Sequence, residues 1–439
     1  MGHDDCLDRE LRFAKGLPSS AAAAWDGTVQ GFLAHDKRTA ERLGEVLSAA
    51  PDFALGHALK GLLMLLLGRS ELTAVGRAAL ADARRAEASV VQTQPARTAA
   101  FIEALELYLA GHPTSAAGRL ARWLQQAPQD AVAFKLDHAI RFVMGDRRGM
   151  LSMSRHVVDA TGEDHPYRGY LLGCHAFSLE ENGVYTEAEL AGRRGLERAP
   201  DDAWGLHAVA HVYDMTARAD TGVRWLKGHV GAWAHCNNFG SHVWWHLALF
   251  HLDRAEYDAV MDLYDTRVRA EHTDDYRDIA NGASMLMRLE IEGIDVGDRW
   301  EELAALSEAR VEPGCIVFAD LHYHMALEAA GRRGAADRMI ARLAADAATA
   351  DHDMHEVAGI AGLPTARALT AFRAGDYVQA FATMRGCRAD LQRAGGSHAQ
   401  RDVFSRLMIE AGIRAGDYDG AEVELAARTV RRGAEDGFT

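Results

Sequence analysis

Apolar residues recur along this chain at intervals of three and four, in runs of roughly 12 to 16 residues separated by short polar breaks. That spacing predicts amphipathic helices. Ala54–Gly68 is followed by Leu72–Glu87, Arg97–Ala110 by Ser115–Gln126, Ala131–Met144 by Gly149–Thr161, and Tyr170–Asn182 by Tyr185–Arg198. No β-rich stretch interrupts the series, and only 9 prolines serve 439 residues. Many short strands would need more turn residues than this. The chain is therefore expected to be all-α, with its helices in pairs.

The second helix of several pairs opens alike. Tyr185-Thr-Glu-Ala188, Tyr377-Val-Gln-Ala380 and Tyr418-Asp-Gly-Ala421 share Tyr-x-x-Ala, and Tyr257-Asp-Ala-Val260 is a looser copy. The first of these helices ends before Pro200. This resembles the close of the tetratricopeptide pattern, where a small residue lets paired helices approach and a proline stops the second helix. The pitch varies between about 32 and 42 residues, against a regular repeat of about 34. The expectation is an α-solenoid of about ten degenerate helix pairs in a right-handed superhelix, because single pairs cannot bury their apolar faces alone. No low-complexity segment or Pro/Gly/Ser linker marks a boundary, so one domain is expected over 1–439.

Charge narrows the partners. Lys and Arg number 48 against 63 Asp and Glu, a net charge of −15, which disfavours binding to phosphate backbones. The most apolar run, Leu62 to Leu67, is far short of the roughly 20 residues of a membrane span. The opening MGHDDCLDRELRFAKG has no apolar core of a signal peptide, and Cys6 stands where an acylation motif wants Ser or Thr. Cys6, Cys174, Cys236, Cys315 and Cys387 are scattered without a C-x-x-C, so a cytoplasmic protein without a disulfide framework is expected.

Of the 21 histidines, seven lie between His207 and His251. Two pairs stand out, His207-Ala-Val-Ala-His211 and His242-Val-Trp-Trp-His246. On a helix, residues i and i+4 share a face with Cβ atoms about 6 Å apart. The two pairs are offset by 35 residues, one repeat, which puts them at equivalent places on neighbouring first helices. Such helices pack about 8–10 Å apart, so four imidazoles can converge. In the repeat register Val209, Ala210 and Tyr213 are packing residues, and His207, His211 and Asp214 fall on the groove-lining face with Trp204 one turn earlier. Isolated helix histidines are usually structural or solvated; two pairs one repeat apart favour a pocket. A zinc, iron or copper ion suits such a set, with Asp214 or Asp320 available to complete it.

Other polar groups are candidates for the same pocket, formed mainly by 200–415. Ser284 and Arg288 share a helix face; alone, a surface Arg and a tolerated Ser would account for them. Asp320-Leu-His-Tyr-His324 lies in the apolar helix Ile316–Ala330, where Asp320 would sit beside His324 and set its tautomer. In Gly395-Gly-Ser-His-Ala-Gln-Arg-Asp402, Ser397 and Gln400 form a capping box. Arg401 in the following turn could bind a carboxylate or phosphate, or pair structurally with Asp402. No G-x-S-x-G, Walker A, G-x-G-x-x-G or H-E-x-x-H occurs.

These strings together resemble the tetratricopeptide repeat protein 38 family. The likeness rests on Asp202-Ala-Trp with His207-x-Val-Ala-His211, on His242-x-x-Trp-His246-x-Ala-Leu, and on Ser284-Met-Leu-x-Arg-Leu. It continues through Glu292-Gly-x-x-Val-Gly-x-Arg-Trp300, Asp320-x-His322, Gly362-Leu-Pro364 and Gly395-Gly-Ser-x-Ala-Gln-Arg-Asp-Val-Phe404. The resemblance covers nearly the whole chain, most strongly from about residue 165 to 415. It implies the helical-repeat fold and no settled activity. It favours His322 over His324 as a pocket residue. Asp214 and Asn281 stand where the family has Glu and Asp, which argues against a strict ligand role for either.

The expected function is binding of a small molecule in a His/Asp-rich pocket and chemistry upon it, metal-assisted or acid–base. His207, His211, His242, His246, Asp320 and His322 are the candidate catalytic groups, and the first four are the candidate metal ligands. Trp204, Trp245, Ser284, Arg288, Gln400, Arg401 and Asp402 are the candidate substrate contacts. The alternative is a non-catalytic scaffold that holds a peptide or partner protein in its groove, with homodimerisation open in either case.

Overall fold

A computed structural model of the chain describes residues 17–89, 94–312, 314–349 and 351–438. The N-terminal run read above for a signal and for acylation, with Cys6, lies outside the described residues. Regular structure among the described residues is helical throughout, apart from one isolated bridge between Asp36 and Cys236. No helix there is long and apolar enough to cross a membrane.

The chain forms two compact units. One comprises 1–142, 147–209 and 231–240; the other comprises 143–146, 210–230 and 241–439. In the first unit lie α1 (Ser19–Ala34), α2 (Thr39–Ala49), α3 (Ala54–Leu66), α4 (Ser70–Ser89), α5 (Pro95–Leu109), α6 (Pro113–Leu124), α7 (Ala131–Val143), α8 (Arg147–Ala160), α9 (Arg168–Glu180) and α10 (Tyr185–Arg198). Helix α11 (Ala203–Met215) runs unbroken from residues of the first unit into residues of the second. The second unit continues with α12 (Ala219–Gly228), most of α13 (Phe239–Asp253), α14 (Tyr257–Leu263), α15 (Tyr276–Ile291), α16 (Arg299–Glu308), α17 (Val317–Ala329) and α18 (Arg333–Thr349). It ends with α19 (Asp353–Val357), α20 (Leu363–Arg373), α21 (Tyr377–Cys387), α22 (His398–Ala415) and α23 (Tyr418–Arg432).

The predicted helices match these bounds closely, and each Tyr-x-x-Ala start opens a helix at its tyrosine: α10, α14, α21 and α23. The reason is local. Gly183, Gly375 and Gly416 take φ of 78°, 80° and 77°, the left-handed conformation that ends the preceding helix. Asp376 and Asp417 then cap the next helix by accepting from the Gln379 and Gly420 N–H groups. Ala188, Ala380 and Ala421 are buried against the partner helix, as a small contact residue should be.

Within the first unit, sequential helices pair: α1 with α2, α3 with α4, α5 with α6, and α9 with α10. A buried ion pair ties this unit together, Arg97 Nε to Asp130 Oδ2 at 2.7 Å, with Trp123 Nε1 donating to the same oxygen at 2.8 Å. The second unit departs from an open stack, in which each pair touches only its neighbours. Its helix α15 packs on α22, and the Arg288 guanidinium donates to the Ala399 carbonyl, 111 residues away. Arg432 pairs with Asp214 at 2.9 Å, and Arg406 with Asp253 and with Glu292, both at 3.4 Å. The chain therefore returns upon its histidine helices within this unit.

Candidate metal centre and polar core

Helix α11 begins where the Asp202 carboxylate accepts the backbone N–H groups of Trp204 and Gly205. The carboxylate fits because Gly173 and Gly205 lack side chains: a Cβ on Gly205 would stand 2.5 Å from Asp202 Oδ2. Helix α13 opens after Asn237, whose Oδ1 accepts from the Phe239 N–H at 3.0 Å. These two starts set the helical phase that turns the histidines inward.

His211 on α11 and His246 on α13 meet with ring centroids 4.4 Å apart, which is the convergence the one-repeat offset predicted. His246 Nε2 lies 3.3 Å from His242 Nε2. His211, His242 and His246 each offer a ring nitrogen, and these nitrogens lie within 4.8 Å of one another, while His207, one turn earlier on α11, belongs to the first unit. A tetrahedral ion with nitrogens at about 2.0–2.1 Å requires nitrogens about 3.3 Å apart, so the His242–His246 edge already has the required length. His242 Nδ1 is 3.1 Å from Asn281 Oδ1 on α15. With that oxygen accepting, Nδ1 carries the hydrogen and Nε2 keeps its lone pair for an ion or a proton.

All four rings are buried, His211 and His246 completely, so they do not line an open groove. Burial favours the neutral ring. It draws His242 down to about 4 despite Asn281, and holds His246 well below its usual value, with neighbouring His211, His242 and Arg288 adding to the effect. A neutral imidazole is the form that binds a metal.

Trp245 backs this cluster. Its ring stacks on His242 at 5.3 Å and meets His246 edge-on at 4.9 Å. Arg288 lies over the same ring, 5.6 Å from its centroid. Trp204 belongs to an aromatic group of the first unit, 4.7 Å from Phe177 and 5.1 Å from His207. Ser284 is buried and donates to the Asn281 carbonyl. Arg288 is also buried and not the surface residue its sequence context allowed.

Several expected partners are otherwise engaged. Asp214 pairs with Arg432 and Asp320 with Arg342 at 2.8 Å, so neither turns to the histidines. Asp320 does not set the His324 tautomer: His324 Nε2 contacts Thr370 Oγ1 at 2.9 Å and Glu328 at 3.5 Å. Burial still lifts Asp320 to about 6. Arg401 is no anion anchor. It donates to the carbonyls of Gly395 and Gly396 and to Gln392 Oε1, holding the loop before α22. Asp402 lies between Arg406 and Arg428, at 3.0 and 2.7 Å, and its carboxyl is held well below the usual range. Ser397 and Gln400 form the predicted capping box, which occupies Gln400. His322 is buried, its Nδ1 donating to the Phe318 carbonyl at 2.8 Å.

Sequence reasoning did not find the role of Asn281, whose spacing of three before Ser284 and seven before Arg288 puts all three on one α15 face. It also passed over Glu180, a fully buried carboxylate at the end of α9. A search of the chain against models of known protein families finds no match.

Proposed function

We propose that this chain is a tetratricopeptide-like helical repeat protein of the tetratricopeptide repeat protein 38 family that holds a divalent transition metal. His211, His242 and His246 are the ligands, and a small molecule is the substrate. The observation that carries the reading is the convergence of three buried imidazoles, those of His211, His242 and His246, with burial disfavouring the charged form of the last two. Helix starts at tyrosines behind left-handed glycines support the repeat reading. The donor set fits zinc, copper or iron, all of which accept imidazole. When bound, such an ion would supply Lewis acidity, and the position left open by three imidazoles would take a water whose pKa it lowers to about 7. The protein's own part is to keep His242 and His246 neutral by burial, to orient His242 through Asn281, and to exclude bulk water.

A second use of the same geometry is acid–base chemistry, supported by the direct His242–His246 contact. A peptide-binding scaffold gains no support here, since a groove must offer exposed side chains and these histidines are buried.

Elemental analysis of purified protein tests the proposal, after metal loading with zinc, iron or copper and desalting. About one ion per chain is expected in the wild type, with none retained by His246→Ala or His211→Ala. A wild type that retains no metal under any loading condition would refute it.

A further inference from the structure

Arg288 is 1% exposed, yet no carboxylate hydrogen-bonds to it among the described residues. Its Nη1 and Nη2 donate to the Ser284 and Ala399 carbonyls, and its Nε has no hydrogen-bond partner. The carboxylates whose fields reach it, Asp402 and Asp214, are bound to Arg406 and Arg428 and to Arg432. A buried cation without a counter-ion is costly, and burial draws Arg288 down to about 9.

Further unmet groups surround it. Trp245 Nε1, on the ring that Arg288 covers, has no partner. Neither has Asn281 Nδ2, on the same face of α15. His322, close enough to feel the Arg288 charge, has its Nε2 buried and unpartnered. Because the Phe318 carbonyl can only accept, His322 Nδ1 carries the ring hydrogen and Nε2 offers a lone pair. Three unmet donors, one of them on a cation, therefore lie on residues next to the histidine cluster, and one unmet acceptor lies within the field of that cation.

We propose that the centre takes a small organic acid bearing a hydroxyl or amino group, with its carboxylate held by Arg288 and Trp245 and its O–H or N–H donated to His322 Nε2. The donor excess sets the negative charge, the lone His322 acceptor sets the extra hydrogen, and burial limits the size. The proposal rests on the metal-centre reading only for where the reacting end of the acid points. It moves the anchoring role expected of Arg401 to Arg288, because Arg401 spends its donors on backbone carbonyls and Gln392.

Isothermal titration calorimetry with glycolate, and with the neutral isostere glycolamide, tests the proposal on full-length protein, metal-loaded and chelator-stripped. Glycolate is expected to bind with Kd of ~1 mM and at least ~10-fold more tightly than glycolamide, since a site built around unmet polar groups rejects the isostere. Arg288→Met should weaken glycolate at least ~10-fold without loss of bound metal. Trp245→Phe keeps an aromatic side chain but removes the N–H with part of the indole; it should weaken glycolate several-fold while the relative affinity for glycolamide changes less, and it decides the matter if Arg288→Met does not fold. Equal binding of the two probes, no binding of glycolate, or wild-type affinity in the variants would overturn the proposal. If no metal is retained but Arg288-dependent glycolate binding persists, the metal reading alone fails. If metal is retained but glycolate ignores Arg288 and Trp245, the acid reading alone fails.

Discussion

Replacing Asn281 with leucine removes the oxygen that meets His242 Nδ1 at 3.1 Å and leaves a side chain of similar volume. Two costs follow. A buried Nδ1–H without an acceptor loses about 1–3 kcal/mol. The ring escapes that cost by moving its hydrogen to Nε2, but Nε2 is the nitrogen that stands 3.3 Å from His246 Nε2. In either case the metal-binding form of His242 becomes less populated. Losing an outer hydrogen bond of this kind typically weakens metal affinity 10- to 100-fold, or about 1.4–2.7 kcal/mol. The assay is competition for zinc against a chromophoric chelator, with a thermal melt to confirm that the variant folds. Asn281→Asp places a carboxylate at the same position and should bind zinc at least as tightly as wild type, because a charged acceptor raises imidazole basicity. If Asn281→Leu binds zinc within twofold of wild type, His242 is not held for a metal by Asn281 and the reading of this centre falls.

Other consequences concern stability. Arg97→Met strands the Asp130 carboxylate in the core of the first unit and should cost about 3–5 kcal/mol in urea unfolding; a loss under 1 kcal/mol would mean that Asp130 is solvated there. His322 titrates at about 4 in the folded chain and near 6.5 when unfolded. Its folded pKa is depressed, so the unfolded state takes up the proton first as pH falls, and the contribution present above 6.5 is lost on the way to 4. Relative to His322→Met, the wild type should therefore lose about 3 kcal/mol between pH 6.5 and 4, and parallel curves for the two proteins would show that the ring protonates freely when folded.

Much of the local structure was legible because helix formation is a local affair. Apolar spacing, the Tyr-x-x-Ala starts, and the Ser397–Gln400 box all act within one or two turns, and each element appears where its residues predict. The pocket was half legible. An i, i+4 pair has its geometry set by the helix alone, and the 35-residue offset implied neighbouring helices, which the 4.4 Å His211–His246 contact bears out. The carboxylates misled. Asp320 looked like a partner for His324, one turn away, but a cation 22 residues on, Arg342, takes it. A guanidinium at 2.8 Å outcompetes a neutral ring for a buried carboxylate.

The sequence by itself determined an all-helical chain, its helix boundaries, and which side chains share a helix face, because these follow from backbone hydrogen bonds and a period of 3.6 residues. Only the tertiary structure decided which charges are cancelled. Asp214 is claimed by Arg432 from 218 residues away, Arg401 by its own loop, and Arg288 by no carboxylate among the described residues. Electrostatic pairing depends on distances through space, so the difference between a structural arginine and one available to a ligand cannot be read from spacing along the chain.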